Sequence, residues 1–148
     1  MHLPGSIFRE IVNFTPLVAI DVIIIKNDKI LLGKRKNRPA RDYLFVPGGR
    51  ILKSELMEDA FSRICSKELG VKLKLNHQKL LGVFEHHYED SIFENVSTHY
   101  VVAGYLIENF EGEIKSDNQH ESLEWYDINQ DNDLIHQYTK DYIKLIRS

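Results

Sequence analysis

The chain has only one cysteine, Cys65, in 148 residues. That excludes an internal disulfide and suits a reducing compartment. Cys65 falls at helical spacing with Phe61, Ile64 and Leu69, so it reads as a small core thiol, and nothing around it marks a nucleophile. Long hydrophobic runs are missing as well. Leu17 to Ile25 is apolar apart from Asp21, but a bilayer span needs about 20 residues. Its β-branched content makes it a buried strand instead. No secretion signal is recognisable and no membrane partner is implied, so the expected location is the cytoplasm. Positive charge is not in excess. A formal net charge of −3 argues against a general nucleic-acid binder. Repeats, linkers and low-complexity segments are absent. With 43% hydrophobic and 28% charged residues, the composition fits one globular domain over residues 1–148.

The local patterns are mostly strand-like. Ser6 is placed to cap a short helix carrying Ile7, Phe8, Ile11 and Val12, which Pro16 ends. Leu17–Ile25 and Lys29–Lys34 flank the turn signal Asn27-Asp28 and form a hairpin. Tyr43–Val46 is a short strand. Leu80–His87, with Gly82 as a bulge, and His99–Ile107 pair antiparallel across a polar loop at 90–97. Glu111-Gly112 turns, a polar loop covers 117–121, and Leu123–Tyr126 is a last strand. A closing helix places Ile135, Tyr138, Tyr142 and Leu145 on one face. Hairpins with two or three helices and no regular βαβ alternation give an α+β class.

The most informative stretch runs from Gly48 to Val71. The glycine pair after Pro47 suits close approach of backbone to a ligand, or positive φ. Ser54 is placed to cap the helix that follows, Glu55, Glu58 and Asp59 suit its positive end, and Gly70 stops it. Glu68 is a carboxylate near a helix C-terminus, where a negative charge is unfavourable, and this suggests a metal ligand rather than an idle surface acid. Gly49, Glu55, Arg63, Glu68, Gly70 and an apolar Val71 stand at the spacing of the Nudix box, and the chain resembles the Nudix hydrolases on these residues. That family implies a mixed β-sheet sandwiched between α-helices, a Glu55–Arg63 ion pair tying loop to helix, and metal ligation by Glu68 and the Gly49 carbonyl. The chain departs from the box at two positions. Ile64 and Lys67 replace carboxylates that share a helix face with Glu68. A site for several ions is not expected, while one Mg²⁺ per subunit fits, because Mg²⁺ commonly takes one or two carboxylates plus phosphate oxygens and water.

The same departure, together with Leu32–Arg50, Thr98–Val102 and Asn118–Trp125, resembles the GDP-mannose mannosyl hydrolase subfamily. The resemblance runs from about Phe8 to Trp125. It implies that Gln119 is a third metal ligand and that His120 is the general base, a task suited to an imidazole whose pKa lies near working pH. It also implies homodimerisation. Arg35 and Arg50 flank ordered apolar runs and suit phosphate oxygens, whereas Lys36 and Arg41 read as solvated loop residues. Asp21 interrupts a buried strand, so it either bonds to backbone or contacts Arg35 or a sugar, and the resemblance favours the second alternative. His86, Tyr88 and Tyr100 line a substrate cleft or serve only sheet packing. His77 and His136 read as surface residues, and His87 and His99 as neighbours on adjacent strands. The implied reaction is Mg²⁺-dependent hydrolysis of GDP-mannose, with GDP-glucose as a further substrate, by water attack at the anomeric carbon with inversion. Two alternatives stand beside it: a pyrophosphohydrolase cutting the P–O–P bridge of a nucleoside diphosphate sugar, and a non-catalytic nucleotide-sugar-binding module.

Overall fold

The computed structural model of the protein describes residues 3–114 and 123–148. Its elements are α1 (Gly5–Phe14), β1 (Leu17–Lys26), β2 (Lys29–Lys34), β3 (Leu44–Phe45), β4 (Gly48–Arg50), α2 (Met57–Leu69), a short turn of helix at Leu75–His77, β5 (Lys79–Tyr88), β6 (Thr98–Ile107), β7 (Glu124–Asp127) and α3 (Gln137–Arg147).

β1 is the axis of the sheet. Its apolar run lets it pair on both edges. Along one edge, Leu17–Ile24 runs parallel to Tyr100–Ile107 of β6, and β5 continues antiparallel beyond β6. On the other edge, β1 shares its length between two partners. Ala19, Ile20 and Asp21 pair with Arg50, Gly49 and Gly48 of β4, while Ile25 and Lys26 pair with β2. β2 then carries β3 and β7. The alternation of a strand divides β1 between two cores. Ile20, Val22 and Ile24 pack with Phe61, Ile64, Cys65 and Leu69 of α2. Ile23 packs on the opposite face with Tyr142 and Ile143 of α3. The mixed sheet therefore lies between α2 and α3, as expected. Val12 of α1 packs in a third, smaller cluster with Leu17 of β1 and Val96. Among the described residues, no helix is long and apolar enough to cross a membrane.

Several local expectations are corrected. Gly48 and Gly49 are not at positive φ. They are needed for close approach: a Cβ on Gly48 would lie 2.5 Å from Asp21 Oδ1, and one on Gly49 would lie 2.9 Å from Ile64 Cγ1. Ser54 does not cap α2. Glu55 turns back to accept the Leu52 N–H and to bind Arg63, so Ser54 sits in the loop at φ 67° and the helix starts after Leu56. Ser6 is likewise inside α1, because the Pro4 carbonyl already accepts the Phe8 N–H. Leu145 is exposed, and the buried positions of α3 are Thr139, Tyr142 and Ile143. The bulge does fall between Leu80 and Gly82, the Asn27-Asp28 turn has both residues at positive φ, and Gly70 closes α2 in the left-handed region.

Candidate active site

A cleft of about 380 Å³ opens where β1, β4, the end of α2, β5 and β6 converge. Asp21, Arg35, Gly49, Arg50, Glu68, His86, Tyr88 and Tyr100 all line it. The structure thus brings together eight of the ten residues singled out in the sequence. Gln119 and His120 lie outside the described residues, and Leu123, the next described residue along the chain, lines the same cleft.

Both arginines rest on aromatic faces. The Arg35 guanidinium lies 5.3 Å from the centroid of Phe45, and that of Arg50 lies 4.6 Å from Phe8 of α1. Such stacking holds a guanidinium fork in place while its N–H donors stay available for anions. The end of β4 that carries Arg50 is clamped to α2. Arg63 donates to Glu55 at 2.8 and 3.0 Å and to the Arg50 carbonyl at 2.7 Å. The expected ion pair is therefore present, and the Arg63 guanidinium holds the Glu55 carboxyl below its ordinary range.

Asp21 bonds to neither backbone nor Arg35. The Tyr142 hydroxyl donates to its Oδ2 at 2.7 Å. Burial raises the Asp21 carboxyl to about 6, opposed by that hydrogen bond and by the charge of Arg35. Burial, with His136 nearby, pulls His86 down to about 4, so at neutral pH its imidazole is uncharged. Burial also raises the Tyr88 and Tyr100 hydroxyls, which remain protonated donors.

His136 is not the surface residue expected. It stacks on Phe45 with ring centroids 4.7 Å apart, and its Nδ1 accepts the Tyr138 N–H at the start of α3. Tyr138 in turn stacks on His86 at 4.1 Å, with the rings within 6° of parallel. The sequence reading missed this aromatic wall behind the cleft. Its one signal in the sequence is the pair Tyr138 and Tyr142 on one helix face. Of the basic residues read as solvated, Lys36 is exposed at the cleft rim and Arg41 is exposed outside it.

The fit to a metal ion can be judged from the donors. Ile64 is buried and packs against Gly49, and Lys67 is exposed, so Glu68 is the acid that α2 brings to the cleft. Among the described residues, no group of three or more His, Cys, Asp or Glu side chains could hold a metal. Among the described residues, the donors would suit one hard cation shared with a phosphate ligand, with Glu68 and the Gly49 carbonyl as the protein's share.

Comparison with known proteins bears on the family and the fold. Over 143 residues the chain is 34% identical to the low-salt glycan biosynthesis protein Agl8 of Haloferax volcanii, covering 96% of this chain and 89% of that protein. It is 33% identical over 114 residues to the ADP-ribose pyrophosphatase of Methanocaldococcus jannaschii, covering 77% of this chain and 63% of the relative. A crystal structure of a MutT NUDIX hydrolase from Burkholderia pseudomallei superposes with a TM-score of 0.73 at 28% identity, over 89% of this chain and 98% of the other. The NUDIX domain model matches residues 15–147, and the chain belongs to the Nudix hydrolase family, whose fold it has.

Proposed function

We propose that the protein hydrolyses GDP-mannose to GDP and mannose with one Mg²⁺ per subunit. The observation that carries this reading is the replacement of two box carboxylates by buried Ile64 and exposed Lys67, while Glu68 still faces a cleft that also holds Arg35 and Arg50. Carboxylates on that helix face would serve a metal-activated water at phosphorus. With two of them gone, the cleft keeps the means to bind a diphosphate and lacks the means to attack it.

In this reading Arg35 and Arg50 receive the negative charge that develops on departing GDP. Glu68, Gly49 and Gln119 would hold Mg²⁺, which when bound neutralises the diphosphate. His120 takes a proton from the water that attacks the anomeric carbon on the face opposite the leaving group. The C–O bond to the diphosphate breaks, and the sugar is released with inverted configuration. Asp21, His86, Tyr88 and Tyr100 contact the substrate. The reading also carries a homodimer, which light scattering in solution would test.

One observation favours a second reading. The ADP-ribose pyrophosphatase relative is 33% identical, and by its name that enzyme cleaves a pyrophosphate. Hydrolysis in oxygen-18 water separates the two. We expect the label in mannose and none in GDP by mass spectrometry. Label on phosphate, or GMP with mannose phosphate as products, overturns the proposal in favour of P–O–P cleavage.

A further inference from the structure

Asp21 and His86 of the cleft wall belong to a three-residue polar chain contributed by three different elements. Tyr142 of α3 is 1% exposed, and Phe84 meets its ring edge-on at 5.0 Å. Its hydroxyl donates to Asp21 Oδ2 at 2.7 Å and lies 3.4 Å from His86 Nε2. A phenol has one proton to give. With that proton on Asp21, the same oxygen can only accept from His86, so Nε2 must carry the imidazole hydrogen. The stack of His86 on Tyr138 fixes the plane of the ring, and Asp21 Oδ1 is pressed against Gly48, where a Cβ would lie 2.5 Å away.

We propose that Tyr142 is the positioning residue of the cleft: it locks His86 in the Nε2–H tautomer and fixes the Asp21 carboxylate, so that both offer acceptors suited to the hydroxyls of a sugar. Asp21 and His86 line the cleft, whereas Tyr142 stands behind them and acts only through them. The consequence is a division of labour inside one cavity. Arg35 and Arg50 supply donors for an anionic diphosphate, and the Asp21–Tyr142–His86 chain supplies acceptors for a neutral, hydroxyl-rich group. A diphosphate placed on the acceptors would meet a carboxylate, and a hydroxylated ring placed on the arginines would leave charge unmatched. The chain therefore sets the direction in which a nucleoside diphosphate sugar lies. This inference deepens the proposed function and rests on its choice of a sugar nucleotide.

The test uses Tyr142→Phe, which keeps the ring and removes the hydroxyl. In ¹⁵N-labelled wild-type protein, the His86 imidazole should show its proton on Nε2 by long-range ¹H–¹⁵N correlation, and Tyr142→Phe should redistribute it toward Nδ1. This readout needs no substrate, so it holds or fails independently of the reaction assigned above. With GDP-mannose, Tyr142→Phe should raise KM about tenfold, the order expected when one buried hydrogen bond is lost. The inhibition constant of GDP, which lacks the sugar, should move less than about twofold, a difference too small to represent a lost hydrogen bond. Thermal unfolding of the variant establishes that it is folded. A wild-type His86 protonated on Nδ1, an unchanged tautomer in Tyr142→Phe, or equal weakening of GDP and GDP-mannose overturns the proposal.

Discussion

At the scale of single residues, position on the fold decides what an ordinary side chain can do. Cys65 is fully buried in the α2 core, and burial pushes its thiol up to about 12, so it remains a protonated packing group. Glu68 is three residues further along the same helix and lies at the cleft instead. Lys67 precedes it and points to solvent. These neighbours should separate sharply under substitution. Glu68→Gln keeps the volume and removes the charge, and we expect activity to fall by about 10²-fold or more, the order lost with a group that stabilises developing charge. Lys67→Ala should stay within about twofold, as an exposed change does. Mg²⁺ titration in the presence of GDP should give one ion per subunit for wild type and a weakened site for Glu68→Gln. Unaltered Mg²⁺ affinity in Glu68→Gln would place the ion elsewhere.

At the scale of elements, the sequence carried what depends on period and spacing and missed what depends on long-range pairing. The nine-residue apolar run of β1 announced a buried strand, and its hairpin partner followed from the Asn-Asp turn. The parallel pairing of β1 with β6 was not legible, because the two strands are separated by more than seventy positions and nothing local in either one encodes the other. The box glycines were legible as special, but the reason lay in how closely β4 approaches Asp21 and Ile64, which only the packing reveals. Eight of the ten candidate site residues line one cleft because the motif, the end of β2 and strands β1, β5 and β6 converge there. The aromatic wall from α3 escaped because His136 and Tyr138 act across the sheet from the motif. The Glu55–Arg63 pair is one that the Nudix resemblance implies, and its further bond to the Arg50 carbonyl ties it to a strand that lines the cleft. Arg63→Ala should therefore release the end of β4 that carries Gly49 and Arg50. We expect a loss of about 1–3 kcal/mol in urea unfolding, the cost of leaving the Glu55 carboxylate and the Arg50 carbonyl without their donor, discounted because Arg63 is 37% exposed. The KM for the diphosphate substrate should rise as well. A variant that loses stability but keeps KM would confine the clamp to folding.

At the scale of the whole molecule, Asp21 and His86 are two titrating groups buried side by side with opposite shifts, and their effects on folding oppose each other. Asp21 titrates at about 6 in the fold against an ordinary 3.8. Between those values the folded chain binds more protons than the unfolded one, so stability from this group is present at low pH and lost as pH rises toward 6. His86 titrates at about 4 against an ordinary 6.5. Here the folded chain binds fewer protons, so its contribution is present above 6.5 and lost as pH falls toward 4. Each shift amounts to about 3 kcal/mol at 1.36 kcal/mol per pKa unit, with opposite sign, and in the wild type the two largely cancel between pH 4 and 6. Asp21→Asn removes the falling limb and leaves the rising one. Urea unfolding at pH 4, 5, 6 and 7 should then show the variant gaining on wild type as pH increases, by at most about 3 kcal/mol across the window. His86→Asn should show the reverse, losing ground to wild type as pH rises. Curves for either variant that run parallel to wild type would mean that the pair does not bear its buried charge as the fold implies. The same balance has a functional side. Near pH 7 Asp21 is ionised and His86 is neutral, which is the state in which both can accept from the hydroxyls of a sugar.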